Sequence, residues 1–350
     1  MRRRPLLAAL PGLAMLQRAH ALPPASLQFP RDFGAHPQFR TEWWYVTGHA
    51  RAGEREFGFQ VTFFRTRVDA AQAMQSRFAA KQLVFAHAAL TDVQGRKLWH
   101  DQRIAREGFD IARAATADTD VRLRDWSLVR APDGYRSQVA APDFALDLRF
   151  APTQPVLLQG AQGLSRKGPE PKQASYYYSE PQLATTGTLT LKGQRFECSG
   201  KAWLDHEWSQ ELLHPEAVGW DWIGMNLDDG GALTAFRLRR QDGSALWAGG
   251  SFRAPNGGLY VFSPGDVNFS PQRRWTSPLS QASYPVEWIV RTPADFYTVK
   301  AVIDNQELDS RASTGAIYWE GLSDLIDSNG RRIGRGYLEL TGYAQRLRLA

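Results

Sequence analysis

The sequence predicts an all-β, antiparallel protein, a sandwich or a barrel, and three observations predict it. The dominant hydrophobic period is two: "FGFQVTFFR", "LVFAHAALTD", "FALDLRF", "GTLTLKG", "ALTAFRLRR" and "YTVKAVI" alternate apolar and polar residues as half-buried strands do. Turn dipeptides stand between such runs, among them Asp133-Gly134, Lys192-Gly193, Asp229-Gly230, Asp242-Gly243, Asn256-Gly257 and Asn329-Gly330. Helical periodicity is absent over any long stretch. The best helix candidate is 68–82, "VDAAQAMQSRFAAKQ", between two strands.

The elements follow in chain order. Residues 1–21 are expected to be a signal peptide. Arg2, Arg3 and Arg4 precede a short apolar run, and Ala19-His20-Ala21 is a small-x-small cleavage site. The order "RRRPLLA" suits a twin-arginine signal as well as a general secretory one, with cleavage after Ala21. The protein is therefore expected to be exported, to the periplasm or beyond. Removing Arg2, Arg3, Arg4 and Arg18 leaves 38 of the 42 basic residues against 36 acidic ones. The mature charge is near neutral and gives no reason to expect nucleic acid as a partner. No later segment is apolar enough to span a bilayer as a helix. Cys198 is the one cysteine, so no intramolecular disulfide forms, and "FECSG" reads as a strand with a small buried thiol.

A weak internal repeat follows. "EWWYVTGHA" then "FGFQVTFFR" resembles "GWDWIGMNL" then "GALTAFRLRR", and "YYYSEPQLATTGTLTL" resembles "AIYWEG" with "GYLELTG". Two related β domains are expected, residues 22–215 and 216–350. In the first strand Glu42, Trp44 and Val46 share one face, and Trp43, Tyr45 and Thr47 the other. A barrel gives aromatic side chains a place on both faces.

Chemistry is concentrated in "KAWLDHEWSQE". In an extended chain Asp205 and Glu207 share a face, while His206 points away with Leu204 and Trp208. Two carboxylates buried together push one pKa up, which makes an acid able to donate a proton near neutrality. The same residues also suit a structural hydrogen-bond network. "ASYYYSEPQL" places Tyr176 and Tyr178 on a face with Glu180. His87 in "FAHAAL" alternates with apolar neighbours, as a core histidine does, and Asp32 and His36 anchor a turn. "GAQGLSRKGPEPKQ" reads as a flexible connection. No HExxH, cysteine pair, nucleophile elbow or phosphate loop occurs, so neither a metal nor a cofactor is expected.

The segments "FPRDFGAHPQFRTEWWYVTG", "SRFAAKQLVFAHAALTD", "SYYYSEPQL", "GKAWLDHEWSQELL" and "GWDWIGMNLDDG" with "SYPVEW" resemble the AttH/carotenoid 1,2-hydratase family over nearly all of the mature chain. The resemblance implies two consecutive lipocalin-like antiparallel β-barrel domains. It implies a long hydrophobic ligand, isoprenoid, polyene or lipid-like. It also implies cofactor-independent addition of water to a C=C bond. On that reading Asp205 or Glu207 donates the proton, and His206 tunes the donor or activates water. Tyr178 assists, and Trp44, Trp208 and Trp220 line the cavity. Glu42, Tyr45, His87, Tyr176 and Trp222 complete the ligand-binding set. Members often carry His where Phe33 stands and Arg where Gln182 stands, so a positive charge is expected to be missing beside Tyr178 and Glu180. The competing readings are a carrier that hands its ligand to an envelope ABC transporter, and an ester hydrolase.

Overall fold

The structure, a computed structural model, describes residues 21–24 and 26–348. The signal-peptide assignment lies outside the described residues, except at its last position. Two antiparallel sheets dominate, one of 13 strands and one of 10. The first uses strands between Thr41 and Glu211, and the second uses strands between Gly219 and Leu340. Among the described residues the two exchange no strand.

In the first sheet the strand Thr41–Ala52 lies between Arg55–Arg67 and Gln194–Glu211. Beyond Arg55–Arg67 come Gln82–Asp92 and Lys97–Arg106; beyond Gln194–Glu211 comes Ala174–Leu191. The two ends of the path approach each other where Gln82–Asp92 and Lys97–Arg106 meet the short strands Ala112–Ala114 and Asp120–Leu123, so the barrel nearly closes. In the second sheet Gly219–Leu227 lies between Ala232–Arg239 and Arg332–Leu340, and Arg332–Leu340 pairs onward with Ala316–Ile326. That path begins and ends on Leu259–Phe262 and Asn268–Pro271, which are consecutive in the chain.

Each barrel holds its own core. Trp44, Phe57, Phe59, Phe63, Trp126 and Phe150 fill the first, all essentially inaccessible. Trp288, Trp319, Tyr284 and Val299 belong to the second. A third cluster packs the outer faces of the two barrels together and includes Tyr45, Trp203, Trp222, Phe236, Leu322 and Tyr337. The period-two pattern therefore has two apolar destinations. One face of a strand enters its barrel, and the other enters the seam between barrels.

The internal repeat has a physical counterpart. Glu42 stands opposite Arg65 in register, and Asp221 stands opposite Arg237. Both pairs are buried inside their barrels and bonded through the arginine Nε at 2.7 Å. One expectation fails. Residues 68–81 form a single 3-10 turn, Asp69–Ala71, and otherwise turns and irregular chain, and Gln82 already begins the next strand. Ala71 is the one buried residue of the segment, and Phe78 and Met74 stand exposed, so no apolar face is available to hold a helix.

Candidate functional site

A cavity of about 250 Å³ lies in the seam between the barrels. From the first barrel it is lined by Trp43, Tyr45, Gln60, Thr62, Phe64, Phe85, His87, Tyr177, Asp205 and Glu207. Lys167 reaches in from the connection before Ala174–Leu191. The second barrel contributes Trp220, Trp222, Phe236, Tyr318, Glu320 and Glu339. The first-barrel floor follows directly from register. Trp43 pairs with Phe64, Phe64 with Phe85, and Phe85 with Ile104, so one row of large apolar side chains crosses four strands. Tyr45, Thr62 and His87 form the next row.

Asp205 is the most perturbed acid on the first-barrel wall. Burial raises its carboxyl to about 7, and nearby Glu207 adds to the rise, against hydrogen bonds that favour the anion. Its three partners are all neutral. Ser179 Oγ (2.5 Å) and Trp203 Nε1 (2.7 Å) donate to Oδ1, and Tyr177 Oη (2.8 Å) donates to Oδ2. A chain fixes the first of these. Ser251 of the second barrel donates to Gln159 Oε1, and Gln159 Nε2 donates to Ser179 Oγ, both at 2.8 Å. Ser179 must then give its proton to Asp205. Oδ1 is thus an acceptor twice over, and the proton that Asp205 holds belongs on Oδ2. Burial and the neighbouring carboxylates keep the Tyr177 phenol well above its usual range, so it stays a donor.

Glu207 is handled differently. It accepts from Ser175 and pairs with Lys167 Nζ at 3.0 Å. The buried Lys167 ammonium also lies over the rings of Tyr177 (4.6 Å) and Phe236 (4.2 Å).

The second-barrel wall carries a carboxylate pair. Glu320 and Glu339 are directly opposite on adjacent strands, Glu320 buried and Glu339 half-buried. Burial and mutual repulsion push Glu320 well above the usual carboxylate range. Burial, helped by Asp205 and Glu207, raises Glu339 to about 7. Trp220 Nε1 donates to Glu339 at 3.0 Å, and Gln60 Nε2 donates to Glu320 across the seam at 2.8 Å. Tyr45 Oη, Gln60 Oε1 and Glu320 Oε1 line this space and make no hydrogen bond of normal geometry. Tyr45 and Glu320 face each other there, and buried polar atoms rarely stay without a partner of normal geometry.

His87 closes one side. Its Nδ1 meets Tyr318 Oη at 2.8 Å and its Nε2 meets Ser313 Oγ at 2.9 Å, both from the second barrel. Burial lowers the imidazole to about 3, so it is neutral and ties the barrels together.

The structure places several expected lining residues elsewhere. Trp44, His206, Trp208 and Tyr178 project into the first barrel, and Tyr176 packs at its end with its hydroxyl on the Pro23 carbonyl at 3.0 Å. His206 touches neither Asp205 nor Glu207. Instead its Nε2 meets Glu42 Oε1 at 2.9 Å and its Nδ1 meets Tyr178 Oη at 3.1 Å. Gln182 also departs from expectation. It sits at a strand irregularity between Glu180 and Leu183 and donates to the carbonyls of Leu227 (2.8 Å) and Gly231 (2.7 Å) on the second barrel. Phe33 stacks beneath the Arg130 guanidinium, 3.9 Å from the ring centroid.

His36, Glu42 and His206 bring ligand-type atoms within 4.8 Å of one another and are the set best able to hold a metal among the described residues. Their hydrogen bonds already account for them. His36 faces Glu42 Oε1 through Nδ1 (2.8 Å) and Asp32 Oδ1 through Nε2 (3.1 Å), so both ring nitrogens are already engaged by carboxylates. Arg65 holds the other Glu42 oxygen. Trp208 stacks on the His36 ring at 3.8 Å. Despite its burial, Glu42 is held far below the usual carboxylate range by the His206 and His36 hydrogen bonds and by Arg65.

Of the expected site residues, Glu42, Tyr45, His87, Asp205, Glu207, Trp220 and Trp222 line the cavity, Glu42 with its carboxylate engaged by His36, His206 and Arg65. Sequence reasoning did not single out Lys167, which stands in the segment read as a flexible connection, or Tyr177, between Tyr176 and Tyr178 on the opposite strand face. It also missed Glu320 and Glu339. The available signal was a single glutamate inside each of two apolar strands, "YWEGL" and "YLELTG".

The sequence profile described as AttH-like matches residues 20–343. A crystal structure of an AttH candidate from Nitrosomonas europaea is 49% identical, with a TM-score of 0.86 over 92% of this chain and 99% of that one. Kievitone hydratase from Nectria haematococca shares the fold at 13% identity, with a TM-score of 0.71 over 91% of this chain and 93% of its own. The structure of CghA with Sch210972 is similar at 14% identity and a TM-score of 0.50, over 87% and 89% of the two chains. No functionally curated protein matches the sequence significantly.

Proposed function

This chain belongs to the AttH-like family, and from that premise we propose that the seam cavity binds a hydrophobic alkene and adds water to it. The observation that carries the reading is Asp205. It is a buried acid with only neutral partners on the wall of an aromatic cavity, raised to about 7. Such a group is a proton donor at neutral pH. Its Oδ2 gives the proton to one alkene carbon, leaving a cation on the other. The indole faces of Trp43, Trp220 and Trp222 stabilise that cation by about 1–2 kcal/mol each when desolvated. Water attacks the cation and loses a proton to the Glu320/Glu339 pair, which carries both like charges only at a cost. The product is an alcohol; proton exchange with solvent resets both acids. The hydratase named among the structural neighbours is in keeping with this reading.

The cavity is smaller than most ligand sites, which run to about 300–1,000 Å³. It takes the reacting end of a long ligand, and the rest lies along the Trp43–Phe64–Phe85–Ile104 row. Export through the N-terminal segment belongs to the same proposal. A carrier without chemistry is the second reading, favoured by the buried polar atoms of Tyr45, Gln60 and Glu320 on the cavity wall, which suit recognition of a polar headgroup.

The test is incubation of the full chain with prenylated phenols and acyclic isoprenoids in ¹⁸O-water, followed by mass spectrometry of the products. One labelled water is expected in the product, and Asp205→Asn is expected to abolish it. Hydration by Asp205→Asn at the unmutated rate would remove the donor assignment. Tight binding of the panel with no labelled product would establish the carrier instead.

A further inference from the structure

We propose that two adjacent loops, 68–81 and 107–112, dock this protein onto an anionic phospholipid surface beside the open end of the apolar floor. Five of the eleven exposed large apolar side chains among the described residues belong to this region: Met74, Phe78, Ile104, Phe109 and Ile111. Phe78 is 65% exposed and Met74 51%. A monomer gains nothing by holding such groups in water, and a patch of them marks an interaction surface.

The patch is built rather than loose. The rings of Phe78 and Phe109 stack at 5.4 Å with planes 9° apart. The Arg106 guanidinium lies 4.2 Å from the Phe109 centroid and donates to the Phe78 carbonyl at 2.9 Å. Arg77 lies 5.5 Å from the same ring. The backbone is strained to present it. Phe109 and Asp110 have φ of +58° and +57° in a tight turn, where glycine or asparagine is the usual choice. An aromatic residue kept in that conformation at a loop tip is an outlier that asks for a use.

Charge identifies the partner. Arg67 pairs with Asp69 and Arg113 with Asp120, which leaves Arg77, Lys81 and Arg106 against Glu107 and Asp110, and two of those three cations lie on the patch's own aromatic rings. Guanidinium groups over aromatic rings, with neighbouring aliphatic tips, suit the boundary between anionic headgroups and acyl chains. Position agrees with this. Ile104 is at once the outer member of the cavity's apolar row and an exposed residue of the patch, and Arg106 continues the next row of the same face. A ligand leaving the bilayer would enter along that row without crossing water.

The inference depends on the cavity reading only through this shared floor, and its test contains no ligand, so each can fail alone. The full chain is sedimented with vesicles of phosphatidylcholine and of phosphatidylcholine with phosphatidylglycerol. Binding is expected only to the anionic vesicles and is expected to weaken with salt. The double variant Phe78→Ser/Phe109→Asn should lower partitioning roughly tenfold or more, and Arg77→Glu roughly fivefold or more. Thermal unfolding should show both variants folded. The proposal is overturned if the unaltered chain ignores anionic vesicles. It is overturned too if the variants bind as the parent does, which would place binding on the basic and apolar run at 2–16. Conversion of a dimer to a monomer by the double variant, with vesicle binding unchanged, would also overturn it.

Discussion

Replacing Asp205 by asparagine tests the central acid without any knowledge of the ligand. The amide side chain would keep Oδ1 as the acceptor for Ser179 and Trp203 and place an NH₂ group where protonated Oδ2 now stands; it is uncharged like the neutral acid but cannot accept from Tyr177 Oη, a loss that does not vary with pH. The sign follows from the raised pKa. Between the ordinary value of 3.8 and the folded value of about 7, the folded protein holds a proton that the unfolded chain has released. Stability therefore falls as pH rises through that window and levels off above it. From pH 5 to pH 8 the loss assigned to Asp205 is about 2–3 kcal/mol. Denaturant unfolding of both proteins at the two pH values reads it directly. The variant's stability relative to the parent should therefore rise by about 2–3 kcal/mol between pH 5 and pH 8. Loss of the Asp205 charge also relieves Glu339, in the same direction. A stability difference between the two proteins that does not change with pH would refute the assignment of a titrating, proton-holding Asp205.

Two further outcomes follow from the acids on either side of the seam wall. Glu320→Gln keeps an acceptor for Gln60 and removes one charge of a like-charged pair, so it should stabilise the protein above about pH 8 by at least about 1 kcal/mol, measured by thermal or denaturant unfolding. Arg65→Met leaves Glu42 buried with its histidines alone and should cost about 3–5 kcal/mol at neutral pH, with part of the loss regained on acidification as Glu42 takes up a proton.

Much of this was legible in the sequence, and the residues show why the rest was not. Alternation separates Glu42 and Trp44 from Trp43 and Tyr45 correctly, but it does not say which face enters the barrel. In most barrels burial would decide; here both faces are buried, one in the barrel and one in the seam. The expected lumen site consequently divided, with Trp44, His206 and Trp208 on one side of the sheet and Asp205, Glu207 and Tyr45 on the other. Glu320 and Glu339 escaped notice because their effect depends on facing each other across a strand pair and on Asp205, more than a hundred residues earlier in the chain.

The register nevertheless separates the acids by role. Glu42 and Asp221 each stand opposite an arginine on the neighbouring strand, and the pair closes inside a barrel. Such an acid is tied to a permanent cation and contributes to architecture. Asp205, Glu320 and Glu339 have no arginine among the groups they hydrogen-bond. Burial then outweighs their neutral hydrogen-bond donors and raises all three above the usual carboxylate range, Asp205 and Glu339 to about 7. The same residue type in the same kind of strand thus has its carboxyl lowered or raised according to what stands one strand away. In this protein every acid of the second kind that lines the cavity lies in the seam, where a ligand can reach it.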